Sequence, residues 1–469
     1  MKNLLVSIGL MSCVVGTAQN IEGNWKGDIH PPGQSLTIVF HYVKQVDGTY
    51  KTSFDSPAQN VFNLQGGVAL VKADSLINDI PLIKGGYRGK ITGDSITGIW
   101  QQGPGTLPLV LHRNNEMAPA PILKPQTPVP PFPYTSQDLI YYNQDKSITY
   151  GATITYPKNG KNLPAVLLIT GSGQQNRDCD IMGHKWFLVL ADYLTRKGFA
   201  VLRVDDRGIG QTTGDVMGAT SADFAKDVEQ GIAYLKTRKE INPKKIGLIG
   251  HSEGGMIAPM VAARNKDVAY IVMLAGPGIG GAIINEEQNV ANVRKAGVSD
   301  SGIQQFRLLH RELQQAAINA TNDSAFERMV RTALAHAKSK TTEAAKVNKN
   351  ADEVEVQNIV RQYGALRMPW LRFFMSYKPT ADIAELQIPV LALNGSKDSQ
   401  VDAGMNLPAI KKALLKNKSP FTKTVRLEGL NHLFQKCTTG EVSEYGTIEE
   451  TFNPVALKTI SDWLVQVTK

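Results

Sequence analysis

Beyond Val15 the chain has no apolar run long enough to cross a bilayer as a helix, so no membrane span is expected in the rest of it. Its basic residues form no cluster interleaved with aromatics. The formal net charge is +9, but Lys and Arg are scattered among acidic residues. Nucleic acid is therefore a poor partner, and a solvated basic surface is the simpler account. Asp205 and Asp206 are adjacent carboxylates with no third ligand at sensible spacing, which argues against a metal site. Cysteine is scarce, with only Cys13, Cys179 and Cys437. Neither a fibrous nor a disordered composition is present.

At 469 residues the chain is too long for one compact core, so two or three structural units are expected. Lys2 precedes the apolar run Leu4 to Val15, and Gly16-Thr17-Ala18 supplies small residues before Gln19. A basic start, a short apolar stretch and a small-residue exit predict a secretory signal peptide over residues 1–19 and an exported protein, periplasmic or secreted. Losing Lys2 with that segment lowers the net charge from +9 to +8. Leu10-Met11-Ser12-Cys13 resembles a lipobox, but only a short apolar stretch precedes Cys13 and apolar residues follow it. Cleavage after Ala18 is preferred over lipoprotein anchoring. Cys179 and Cys437 then remain, and spacing does not choose between a disulfide and two buried thiols.

From residue 20 to 113 β-branched runs alternate with turns. Ser35–Val43 and Tyr50–Phe54 flank Val46-Asp47-Gly48-Thr49, and Gly89–Trp100 turns at Gly93-Asp94. Such turns predict antiparallel hairpins, hence a small β-sheet or barrel with no titratable cluster that suggests catalysis. Residues 114–134 carry Pro119, Pro121, Pro125, Pro128, Pro130, Pro131 and Pro133 and read as a semi-rigid linker. Residues 135–469 change rhythm. Apolar runs at Ala165–Thr170, Ala200–Val204, Lys245–Gly250, Tyr270–Ala275 and Val390–Leu393 are mostly separated by helical stretches at Lys185–Lys197, Ser221–Arg238 and Glu253–Arg264. This pattern predicts a parallel sheet buried on both faces, with Asp138–Tyr142 and Ile148–Tyr156 as leading strands on an antiparallel edge. No proline lies between Pro277 and Pro369, and Ile303, Phe306, Leu309 and Leu313 share a helical face. Residues 279–385 therefore read as a helical cap inserted between two strands. A packed domain away from the site would show the same pattern.

Gly250-His251-Ser252-Glu253-Gly254 is a G-x-S-x-G sequence between a strand and a helix. So tight a turn strains the serine backbone, requires small residues two before and two after it, and aims a helix N-terminus at the hydroxyl. A serine hydroxyl needs a base, and in this arrangement the partners follow in the order Ser, Asp or Glu, His. Of eight histidines only His310, His336 and His432 follow Ser252, and the first two fall in the cap. His432 is the expected base. Asp398, in the loop after the Val390–Leu393 strand, is the expected acid, with Asp402 its competitor. The backbone N–H of Glu253 and that of Ser172, in Gly171-Ser172-Gly173-Gln174, are the expected oxyanion donors. The Glu253 side chain shows no chemical role. Asp205-Asp206-Arg207-Gly208 reads as a loop brace.

The segments Thr170–Asp178, Asp205–Gly208, Gly250-His251-Ser252-Glu253-Gly254-Gly255, Leu391–Asp398 and Gly429-Leu430-Asn431-His432-Leu433-Phe434-Gln435 resemble the EstD-type esterases. These are α/β hydrolases of the serine aminopeptidase-like superfamily. The resemblance runs from about Ser136 to Lys469. It implies an α/β-hydrolase sheet with a helical cap insertion, preceded by a small antiparallel accessory domain. It also implies hydrolysis of short acyl esters, small-molecule substrates, no cofactor, and Ser252, Asp398 and His432 as the triad. Cys179 departs from the acidic residue usual there. A disulfide between Cys179 and Cys437, both placed just beyond catalytic loops, is the hypothesis this departure suggests. Two alternatives stand beside the esterase: a peptidase on the same scaffold, and a carbohydrate- or ligand-binding protein with a vestigial hydrolase domain.

Overall fold

The computed structural model describes residues 19–31, 35–57, 61–80, 85–102, 105–114, 123–339 and 353–469. The expected signal segment up to residue 18, with Cys13, lies outside the described residues, as do Pro119 and Pro121 and cap residues 340–352. Two compact units divide the chain after Leu123.

The first unit is a closed antiparallel barrel of eight strands: β1 (Gly23–Ile29), β2 (Leu36–Lys44), β3 (Tyr50–Ser56), β4 (Val61–Lys72), β5 (Ser75–Ile80), β6 (Gly85–Thr92), β7 (Ser95–Gln102) and β8 (Gly105–Asn114). Alternation drives it. Leu36, Ile38, Phe40 and Tyr42 of β2 all point to one buried side. There they meet Trp25, Phe54, Tyr87 and Trp100, so the interior is filled by side chains, as expected of an eight-stranded barrel. Pairing of β1 with β8 closes the ring and removes the free edges.

The second unit carries an eight-stranded sheet. Its elements are β9 (Thr135–Tyr142), β10 (Thr149–Tyr156), β11 (Leu163–Ile169), a short hairpin of β12 (Asp180–Ile181) and β13 (His184–Lys185), α1 (Trp186–Arg196), β14 (Ala200–Val204), α2 (Ser221–Lys236), β15 (Ile241–His251), α3 (Glu253–Arg264) and β16 (Val268–Leu274). Then come the cap helices α4 (Gly281–Lys295), α5 (Asp300–Asn319), α6 (Asp323–Ser339), α7 (Glu353–Gly364), α8 (Pro369–Ser376) and α9 (Pro379–Glu385). After them follow β17 (Val390–Gly395), α10 (Ala403–Ala413), β18 (Lys423–Leu427) and α11 (Pro454–Val467). The strand order is β18-β17-β16-β15-β11-β14-β10-β9. The six strands from β18 to β14 are parallel, and β10 and β9 form the antiparallel edge.

The unbroken apolar strands are explained by two cores, one on each face. In β11, Ala165, Leu167 and Ile169 pack with Ile232 and Ile257 on one face, while Val166 and Leu168 pack with Phe187, Leu190 and Trp463 on the other. The cap has its own small core around Leu313, Phe326, Val330, Leu334 and Val356. The proline-rich segment is not a spacer throughout. From Lys124 it belongs to the second unit, where Lys124 Nζ donates to the carbonyls of Gly446 and Ile448, each at 2.8 Å. Gln126 bonds the backbone of Thr451 and Phe452. No helix among the described residues is long and apolar enough to cross a membrane.

Candidate active site

Ser252 sits between β15 and α3 with φ +53° and ψ −117°, a conformation L-residues rarely adopt. The turn is held by Ser252 N–H donating to the Leu274 carbonyl and by Gly255 N–H donating to the Ser252 carbonyl, at 2.8 and 2.9 Å. The flanking glycines are steric necessities. A Cβ on Gly250 would lie 1.9 Å from the Gly254 carbonyl oxygen, and one on Gly254 would lie 2.2 Å from that of Ile169. The loop after β11 closes on Ser252: a Cβ on Gly171 would stand 3.1 Å from Ser252 Cβ. Ser172 and Glu253, whose amides are the expected oxyanion donors, line the cavity that holds Ser252.

Asp398 and His432 come together from the loops after β17 and β18. His432 Nδ1 donates to Asp398 Oδ2 at 2.7 Å, and both side chains are buried. The other carboxylate oxygen, Oδ1, accepts the backbone N–H groups of Gln400 and Val401, each at 2.8 Å. With the Nδ1 proton donated to Asp398, Nε2 carries the lone pair that a general base needs. Asp402 is elsewhere, capping α10 through Met405 N–H at 2.8 Å. His310 is buried in the cap, against Tyr363 and Asn285, and His336 pairs with Glu312 on its surface.

The His432 loop is built by its neighbours in the sequence. Asn431 Oδ1 accepts from the N–H groups of Leu433 and Gln435, while Lys397 N–H donates to the Leu430 carbonyl and so ties the acid loop to the base loop. His251 adds a brace. Its Nε2–H donates to the His432 carbonyl at 3.0 Å, and its ring lies between Trp186 and His432, with centroids 4.5 and 4.7 Å away. Burial, reinforced by the neighbouring His432, pushes the His251 pKa down to about 3, so it is neutral in use.

Ser252 and His432 line one cavity of about 390 Å³ with Gly171, Ser172 and Trp370. Among the described residues no hydrogen bond joins the hydroxyl to the imidazole, a contact that often closes only with substrate bound. The Asp205–Gly208 segment is a brace. Asp205 accepts from Arg177 Nη2 at 2.7 Å, and Asp206 accepts from Thr170 and from Gln175 N–H. These bonds lock the loop that carries Ser172.

Two sequence readings change. Cys179 and Cys437 form no disulfide; both are free. Cys179 is turned into the core beside Trp186 and donates its thiol to Gln175 Oε1 at 2.7 Å, whereas Cys437 faces the Gly429 carbonyl. Burial raises the Cys179 thiol well above its usual pKa, which disfavours the thiolate form. The Glu253 side chain, for its part, has a job. It is 3% exposed, and its Oε1 accepts from Ser221 Oγ at 2.6 Å and from Trp370 Nε1 of α8 at 2.7 Å. No local motif signals this tie, because Trp370 lies 117 residues away.

Residues 183–434, more than half of the chain, match the sequence family described as serine aminopeptidase, S33. The chain belongs to the S33 hydrolase family. Esterase EstD of Thermotoga maritima is 32% identical over 137 residues, 29% of this chain and 32% of that protein. The match thus spans about a third of EstD's own length. An uncharacterized 31.7 kDa protein from the traX-finO intergenic region of Escherichia coli is 24% identical over 262 residues, covering 54% of this chain and 80% of that one. Among solved structures, an esterase of Pyrococcus furiosus aligns over 75% of this chain and all of its own, with a TM-score of 0.43 and 12% identity. Ser252, Asp398 and His432 all fall inside the S33 match.

Proposed function

We propose that this S33 hydrolase is a serine carboxylic ester hydrolase acting on short acyl esters through an acyl-enzyme on Ser252. The observation that supports this most is His432, paired with the buried Asp398, lining one cavity with Ser252. In the mechanism, His432 Nε2 takes the hydroxyl proton as Ser252 Oγ attacks the ester carbonyl carbon. The Ser172 and Glu253 amides hold the oxyanion, and Asp398 steadies the imidazolium. The imidazolium returns its proton to the departing alcohol as the carbon–oxygen bond breaks. Water, deprotonated by His432, then attacks the acyl-enzyme and releases the acid and free Ser252.

The family description favours a second reading, an aminopeptidase. Such an enzyme needs an anion to hold the substrate's ammonium. The catalytic cavity is lined by Gln175, Asn285, Gln288 and Gln400, and among the described residues its one carboxyl, Glu253, is already occupied by Ser221 and Trp370. Neutral polar walls suit an ester better, and the name of EstD agrees.

Turnover of nitrophenyl esters from acetyl to octanoyl, and of aminoacyl anilides, decides between the readings when run beside Ser252→Ala. Ester hydrolysis that falls with chain length and drops by up to ~10⁶ in kcat in the variant is the expected result. Anilide turnover transfers the enzyme to the peptidases, and silence on both directs attention to ligand binding by the barrel.

A further inference from the structure

A second cavity, of about 310 Å³, lies behind the oxyanion loop and contains neither Ser252 nor His432. It shares Gly171, Ser172, Glu253 and Trp370 with the catalytic cavity. Its walls are mainly apolar, with Tyr141, Val216, Phe224, Val228 and Ile257 prominent. The charged groups in its walls are already engaged. Asp227 is bonded by Arg207 and by the Tyr150 hydroxyl, and Asp206 by Thr170 and Gln175. A chamber with so little free polarity suits an apolar chain rather than a charged or sugar-like ligand.

Geometry also says which part of an ester would enter. The leaving alcohol must face His432, which protonates it. The chamber lies past the oxyanion residues and away from His432, so it is on the acyl side. Trp370 lines both chambers, and its indole is pinned to the buried Glu253 carboxyl through Nε1 at 2.7 Å. Ser221 of α2 holds the same carboxylate oxygen at 2.6 Å, so the peg is itself fixed.

We propose that Trp370, held by Glu253, is the residue that sets acyl-chain length, closing the catalytic cavity against an apolar chamber that otherwise accepts longer acyl groups. This inference rests on the esterase reading. It assigns Trp370 to specificity and Glu253 to positioning through its side chain, apart from its backbone role.

The experiment compares kcat/KM for nitrophenyl esters from acetyl to decanoyl in the wild type, Trp370→Ala, Trp370→Phe and the double variant Trp370→Ala/Val216→Trp. In Trp370→Ala the octanoyl-to-acetyl ratio is expected to rise about tenfold or more, the scale on which apolar pockets discriminate. Trp370→Phe keeps most of the ring but loses the N–H, so it should move the ratio the same way by less; it serves as well if the alanine variant fails to fold. Adding Val216→Trp refills the chamber and should return the ratio toward that of the wild type. An unchanged ratio in both Trp370 variants overturns the proposal. A raised ratio that Val216→Trp leaves untouched overturns the chamber assignment. A wild type inactive on every ester is a failure of the esterase reading and takes this inference with it, whereas active variants with an unaltered profile sink this inference alone.

Discussion

The carboxyl edge of the parallel sheet and the helical cap hold their polar groups in different ways. At the sheet edge the candidate catalytic loops are fixed largely through the backbone: Asp398 accepts Gln400 and Val401 N–H, Ser252 N–H donates to the Leu274 carbonyl, and the His432 carbonyl accepts from the buried His251 ring. In the cap many ties run between long, partly exposed side chains, such as Arg331 with Glu327 and Glu353, and Lys338 with Glu355. Backbone partners cost no extra rotamer entropy and do not wander, whereas exposed ion pairs do both and are screened by salt. The candidate site therefore sits where geometry is stiff. The cap contributes Trp370 to the cavity wall.

The comparison breaks first at Asp398. Its Oδ1 accepts two backbone N–H groups, so in Asp398→Asn the amide oxygen must take that place and the NH₂ must face His432 Nδ1. Nδ1 then becomes an acceptor, the ring proton moves to Nε2, and the base is lost although nothing has shifted. Ester kcat is expected to fall by about 10⁴ with the unfolding midpoint near that of the wild type. Steady-state kinetics beside a thermal melt would show it. A small loss of kcat would mean that the sheet edge is less rigidly specified than its hydrogen bonds imply.

The same contrast explains what could be read from the sequence. G-H-S-E-G works within five residues, and its two glycines are demanded by contacts at 1.9 and 2.2 Å, so strand, turn and helix all speak at once. Chain order then isolates His432, and loop position isolates Asp398. The alternation in β2 and the Asp-Gly turn at Gly48 make the barrel's hairpins visible, but not its closure, which depends on β1 meeting β8 far along the chain. Glu253 was illegible for the same reason: its partners Ser221 and Trp370 lie 32 and 117 residues distant. The disulfide failed because sequence order puts Cys179 and Cys437 near the catalytic loops but says nothing of side-chain direction. Cys179 points into the core.

A smaller effect sharpens the view of the cap. His310 is 3% exposed, with Tyr363 Oη at 2.6 Å, Gln314 Nε2 at 2.8 Å and Asn285 Oδ1 at 3.1 Å. Burial holds its pKa below the usual 6.5, with Glu286 opposing. The unfolded chain then binds more protons than the folded one below about pH 6.5, so this contribution to stability is complete above that pH and is lost as pH falls. His184 and His251, also lowered by burial, act in the same direction. His310→Gln should therefore flatten, without abolishing, the decline of the unfolding midpoint between pH 6.5 and 5 on the scale of that ordinary pKa. The slope is the readout, since the level will also shift. An unaltered slope would mean that His310 keeps its ordinary proton affinity.

The smallest effect is expected at Arg331. It bridges Glu327 on its own helix, α6, and Glu353 on α7, with all three side chains open to solvent. A structure with its cap sewn together by such pairs would lose midpoint on Arg331→Ala and would soften in salt. Water and counter-ions already stabilise these charges when they are apart, and holding three long side chains in one arrangement costs entropy. The apolar seam beneath, where Phe326 and Val330 of α6 meet Val356 of α7, stays intact in the variant. The midpoint should accordingly move by no more than about one degree, at low and at high salt alike. A melt at both ionic strengths tests this. A salt-dependent loss of several degrees would show that the cap's ion pairs, rather than its small apolar core, keep its helices together.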